Sequence, residues 1–203
     1  MSSIRPLLPS PRRITASNLP ISHSSGDGDN AEPVVEVIEE SLEVEAILGG
    51  LLARSRVATI KKIPTSNDGA GYMPLDEVPG MGIVMPNGLN MYYLDVAPNS
   101  EGTMHRTTSC DYLVVLQGTL TLLTPAHDWT QEAGYGKPKE TLCHPGEVVI
   151  QRGMMHALSN RTDEWIRLFA VVVASEPNKV PVEHRSSSPG QEEFKVLDDA
   201  WLA

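Results

Sequence analysis

The sequence is short of basic side chains: 16 Lys and Arg stand against 26 Asp and Glu, a formal charge of -10. Nucleic-acid binders need a basic stripe to neutralise phosphates, so no nucleic acid is expected as a partner. Cysteine is scarce too. Cys110 and Cys143 cannot build a disulfide framework, and a reducing compartment is the simpler reading. No apolar run approaches the length needed to cross a bilayer, so no membrane partner is expected either. An internal repeat is also lacking. Acidic residues are missing before Asp27, and Arg5, Arg12 and Arg13 give this segment a superficial likeness to an organelle transit peptide. Pro6, Pro9, Pro11 and Pro20, however, break the amphipathic helix such a peptide needs, and Leu7-Leu8 is too short for a secretory core. A cytoplasmic location is the expectation.

What is present suits one domain with extensions: 203 residues, 40% hydrophobic and 21% charged. Residues 1–32, rich in Ser, Pro, Gly and Asn, are expected to lack a fixed fold. Residues 33–88 read as an N-terminal extension packing on the main domain. In it Gly49-Gly50 interrupts any long helix, residues 54–60 look extended, and prolines make 64–88 irregular. From Leu89 the texture changes to short β-prone runs, LNMYYLDV, DYLVVLQG, TLTLL, EVVIQ and WIRLFAVVV, divided by Pro, Gly and Asn. That pattern predicts an all-β closed antiparallel barrel over 89–176, with a long hairpin loop near 125–139. Residues 177–203 read as a polar C-terminal tail, mobile around 186–190, with Trp201 undecided between docking and solvent.

Two half-motifs stand inside the barrel region. One is Asn99-x5-His105-x-Thr107-x3-Asp111-x6-Gly118, and the other is Gly146-x6-Gly153-x2-His156-x3-Asn160. Together they resemble the two motifs of the cupin superfamily, over roughly residues 89–173. The resemblance implies a small cupin barrel or jelly roll with a divalent metal held by His105, Asp111 and His156. Two histidines and a carboxylate on one face, with open positions, favour Fe(II), and Zn, Mn or Ni also suit these donors. Period-two alternation along an extended strand would turn His105, Thr107, Ser109 and Asp111 to one side. Asn99 stands where the family often has Gly, and Asn tolerates a left-handed turn.

This sequence departs from the pattern in three places. Thr107 replaces the second His, Asp111 replaces a longer Glu, and Gln151-Arg152 shortens the second motif before Gly153. Thr107 is expected to pack or hydrogen-bond, and Asn160 to fix a turn. Met154 and Met155 are candidates for the pocket mouth, Tyr92, Tyr112 and Trp165 for packing, and Arg106 for the surface. His23, His127, His144 and His184 fall outside the spacing and are read as solvated. No residue stands out as a general base, and Cys110 falls on the face opposite Asp111.

MHRTTSCDY, PGEVVIQRGMMHALSN and DEWIRLFAVVVA are similar to small single-domain cupins encoded in fungal gene clusters for polyketide and related metabolites. That resemblance implies a metal-dependent oxidoreductase acting on a small-molecule substrate, with a homodimer possible. A non-redox dehydratase or isomerase using the same metal is the alternative reading. A ligand-binding barrel without catalysis, supported by the missing second His, is another.

Overall fold

The computed structural model describes residues 8–21, 32–127, 129–132, 134–182 and 193–202. Strands dominate them: β1 (Arg12–Asn18), β2 (Val35–Ser41), β3 (Glu45–Ile47), β4 (Leu52–Ile60), β5 (Leu89–Val96), β6 (His105–Arg106), β7 (Ser109–Gln117) and β8 (Leu120–Thr124). There follow β9 (Lys139–Cys143), β10 (Val148–Arg152), β11 (Ala157–Ser159), β12 (Ile166–Ala174), β13 (Asn178–Val182), β14 (Glu193–Leu197) and β15 (Ala200–Trp201). No helix among these residues is long and apolar enough to cross a membrane.

The β-prone runs from Leu89 onward form β5, β7, β8, β10 and β12, as expected. Antiparallel pairing arranges a six-stranded sheet in the order β10-β7-β12-β5-β4-β3, and a three-stranded sheet in the order β11-β8-β9. Alternate side chains of β5, β7 and β12 meet those of β8 and β9 between the sheets, where Val96, Val115, Leu120, Ile166, Leu168 and Val172 are buried. This is the all-β antiparallel barrel that the sequence predicts. Two glycines permit its tight places. Gly118 turns β7 into β8 at φ 78°, and a Cβ on Gly102 would lie 2.3 Å from the carbonyl oxygen of Leu158.

Three expectations need correction. The barrel does not begin at residue 89, because β4 pairs along its length with β5 and is built into the sheet. Its Ala53, Ala58 and Thr59 are buried, so this segment contributes core rather than packing on it. Within 1–32, residues 12–18 form β1, which pairs antiparallel with β2. Arg13 fastens this arm: its guanidinium is buried against Glu40 and the carbonyls of Val57 and Met73. Residues 1–7 and 22–31 lie outside the described residues. The polar tail likewise folds, with β13 pairing β14 and β15 pairing β6. The segment 186–190, His23 and His184 lie outside the described residues.

Trp165 is buried as anticipated, but Tyr112 is 41% exposed, turned outward on β7 beside Ile150. Cys110 and Cys143 are both free thiols.

The sheet carries one charged pair inside. Arg167 on β12 and Asp95 on β5 are cross-strand partners, joined by two hydrogen bonds of 2.7 Å each. A further bond from Arg167 to the carbonyl of Pro9 ties the start of the chain to the barrel. Removing one partner strands the other's charge, so Arg167→Ala should cost about 3–5 kcal/mol of stability. The double change Asp95→Leu with Arg167→Met should cost far less, and urea unfolding midpoints distinguish the two.

Candidate functional site

The two half-motifs are brought together by the backbone. His105 and His156 form an isolated antiparallel bridge, each N–H donating 2.8 Å to the other's carbonyl. A second bridge joins Ser100 to Asn160, so the segment from Asn99 runs beside the segment from His156. Asn99 adopts φ 50°, the left-handed turn its residue type allows. Asn160 is fully buried. Its amide donates to the carbonyls of Val96 and Glu164, and its oxygen accepts from the N–H and hydroxyl of Thr162. It fixes the turn, as its position suggested.

The imidazole centroids of His105 and His156 are 4.4 Å apart. Each Nδ1 faces a backbone carbonyl, Thr103 at 2.8 Å and Met154 at 3.0 Å. A carbonyl can only accept, so Nδ1 carries the proton and Nε2 presents its lone pair. Burial lowers both pKa values, that of His156 to about 4 with the neighbouring His105 adding to the effect. Both rings are therefore neutral acceptors at physiological pH.

Asp111 lies on β7, cross-strand from Gln151 on β10. Burial raises its pKa to about 6, and Ser109 opposes that by hydrogen bonding. Its Oδ1 has no hydrogen-bond partner, nor have Oε1 and Nε2 of Gln151, which is only 2% exposed. An orphaned buried polar group costs about 1–3 kcal/mol, so three such atoms in one place call for a ligand.

His105, Asp111 and His156 all line one cavity of about 650 Å³, together with Gln151 and Tyr92. Leu51, Leu52, Ile83, Leu94, Leu113 and Leu158 supply much of its apolar wall. Burial keeps the Tyr92 phenol protonated, and the nearby Asp111 carboxylate adds to that. Of the residues read as packing, Tyr92 thus belongs to the site. Met154 packs against the core instead of the cavity, and Met81 is the methionine that lines it.

Metal binding has a direct test in this geometry. The donor chemistry suits a divalent ion, and the Nδ1–carbonyl bonds orient the rings as metal ligands commonly are. Among the described residues, however, no group of three His, Cys, Asp or Glu side chains is placed to hold one. The physical reason lies between the motif residues. The chain leaves strand geometry at Thr107-Thr108, so His105 and Asp111 stand on separate strands, each pairing with a different partner. Thr107, where a second His would stand, hydrogen-bonds Ser109 at 2.9 Å and lines a different cavity. The set as it stands provides two imidazoles 4.4 Å apart and a carboxylate on the wall of the same cavity.

Spacing alone did not single out Gln151, Tyr92 or Trp201. Gln151 carried one signal, since in the period-two pattern of β10 it faces the same side as the cross-strand Asp111. The raised pKa of Asp111 also has a thermodynamic consequence. A carboxyl held at about 6 in the fold and near 3.8 when unfolded destabilises the protein as pH rises through that interval. Asp111→Asn removes the charge. It should leave stability unchanged near pH 4 and raise it by about 2–3 kcal/mol at pH 7, measured as urea unfolding across pH.

No family model matches the sequence. Over 100 residues the chain is 32% identical to phomopsin biosynthesis cluster protein D of Diaporthe leptostromiformis, an alignment covering 49% of this chain and 47% of that protein. Over 80 residues it is 30% identical to the cupin-domain-containing oxidoreductase srdB of Neurospora crassa, covering 39% of this chain and 35% of that protein. The chain thus spans less than half the length of the curated relatives it matches. Among solved structures, a cupin-2 domain protein from Rhodospirillum rubrum superimposes with a TM-score of 0.41 at 14% identity, over 70% of this chain and 76% of that one. Both half-motifs are paired inside an antiparallel barrel, and over part of its length the chain is similar to a fungal protein named as a cupin-domain-containing oxidoreductase.

Proposed function

We propose that this barrel is an enzyme of specialised-metabolite biosynthesis that moves a proton on a small, mostly apolar, oxygen-bearing molecule of polyketide type. Dehydration, isomerisation and aromatisation all use such a step. The observation that carries this reading is the orphaned polar set, Asp111 Oδ1 and the Gln151 amide, buried in a largely apolar cavity.

The residues divide by what they can do near pH 7. Asp111, with its pKa near 6, is mostly ionised yet still basic enough to take a proton from a carbon beside a carbonyl. The electron pair then shifts onto the carbonyl oxygen. The Gln151 amide and the Tyr92 phenol are the neutral donors available to that oxygen in the same cavity. His105 and His156 offer lone pairs at Nε2 and would accept hydrogen bonds from substrate hydroxyls, orienting the ring system. The proton returns to another carbon, or assists loss of hydroxide as water.

A second reading is favoured by the same two Nε2 atoms and by the naming of the Neurospora crassa relative as an oxidoreductase. A divalent metal, Fe(II) first, would take His105 and His156 as ligands and supply Lewis-acid or redox chemistry. Asp111 does not complete that set as placed, so no step is assigned to the metal.

Two measurements separate these readings. Turnover on a candidate hydroxylated aromatic precursor should rise with pH through about 6, as the Asp111 carboxylate forms. Asp111→Asn should lower it by roughly 10²–10⁴-fold. The protein purified without added metal should keep its rate after chelation, and no oxygen should be consumed. A rate that tracks bound metal across preparations would establish the second reading instead.

A further inference from the structure

The inner cavity has a neighbour. A second cavity of about 730 Å³ opens on the other side of Trp201, lined by polar groups that include Thr107, Ser175 and Asp199. Trp201, Met81 and Ile83 line both spaces. These three side chains are therefore the partition between an apolar chamber holding the site and a more polar outer vestibule.

Trp201 differs from its two companions in how it is held. Its indole lies flat on the imidazole of His105, with centroids 4.4 Å apart and planes within 6°. The segment that carries it is a strap laid along the first half-motif. Leu202 N–H donates to the carbonyl of Met104 at 2.9 Å, and Arg106 Nε donates to the carbonyl of Asp198 at 2.7 Å. Asp199 Oδ1 accepts from both the N–H and the hydroxyl of Thr108, at 2.6 and 2.7 Å. Trp201 nonetheless stays 44% exposed, so it is fastened at its backbone and not locked by core packing. An aromatic face held this way is a stacking platform for a flat ligand and a stop for a long one.

We propose that Trp201 is the specificity-determining residue of the pocket. It limits ligand length by dividing the two cavities, offers its ring to planar aromatic substrates, and holds the His105 imidazole in position. Asp199 is the latch that keeps it there. This rests on the reading of the inner cavity as the small-molecule site. The ligand class it selects is a compact planar ring system bearing hydroxyls, in preference to an extended chain.

Two fluorescent probes test this on the full chain: 2-naphthol, which is compact and planar, and 1,6-diphenylhexatriene, a longer rod. The wild-type protein should bind 2-naphthol and take the rod poorly. Trp201→Ala joins the cavities and should tighten binding of the rod by roughly tenfold or more, while 2-naphthol changes by about threefold at most. Trp201→Phe, which keeps a ring, should restore the wild-type preference. Asp199→Ala, with the indole intact, should shift it towards the rod, and this variant also carries the test should Trp201→Ala fail to fold. An unchanged ratio between the probes in both Trp201→Ala and Asp199→Ala, with 2-naphthol still bound, overturns the role given to Trp201. If the wild-type protein binds neither probe, the small-molecule reading of the cavity fails first and takes this one with it.

Discussion

The reciprocal backbone pair between His105 and His156 is the constraint from which the site follows. Two N–H groups and two carbonyls satisfy one another, and side chains directly opposite in an antiparallel pair leave the same face. Register at this one point therefore brings two imidazoles, 51 residues apart by number, to 4.4 Å. The Ser100–Asn160 bridge holds the other end of the same pairing, with Gly102 allowing the close approach to Leu158 between them. A slip by one residue would turn the imidazoles out of the cavity. The buried amide of Asn160, with all its hydrogen-bonding capacity used, guards against that slip.

The rest of the site shows where this fold accepts a penalty. Asp95 and Arg167, also buried, satisfy each other across the sheet, and Arg13 is met by a carboxylate and two carbonyls. Asp111 and Gln151 receive no such care, although they are as deeply placed. Asn90 Oδ1 is open as well, but the other orphaned atoms, on Asp111 and Gln151, belong to residues of the cavity wall. Among the described residues, three of the four orphaned atoms thus gather at one cavity, and that clustering is what supports reading it as a binding site.

Much of the barrel was legible because strands with one buried face write their period into the sequence: β5, β7 and β12 fall where the apolar runs predict them. The motif spacings likewise led to His105, His156 and Asp111, and all three face one cavity. The misread parts share a cause. β1, β13 and β15 are polar strands stabilised by partners far away in number, Arg13 with Glu40 and Arg106 with Asp198, and composition within a window carries no trace of such pairing. Gln151 was noted only as a departure from the motif, because a neutral amide has no place in a ligand pattern. Trp201 gave no local signal at all, since its meaning comes from β15 lying against β6.

The departures from the cupin pattern are coherent once placed in space. Thr107 stands where a further imidazole would be, and its hydroxyl bonds Ser109 and looks into the outer cavity. Gln151, part of the shortened second motif, puts an amide beside Asp111. Trp201 covers the ring of His105 with an indole. Thr107 supplies a hydroxyl in place of a ligating nitrogen, Gln151 adds an amide to the cavity wall, and Trp201, outside both motifs, adds a stacking surface. An amide and a phenol beside a carboxylate of raised pKa can receive negative charge developing on oxygen, and two neutral imidazoles can receive hydroxyl protons. On the proposed reading, these are the side chains that would bind an oxygen-bearing ring system and take a proton from it.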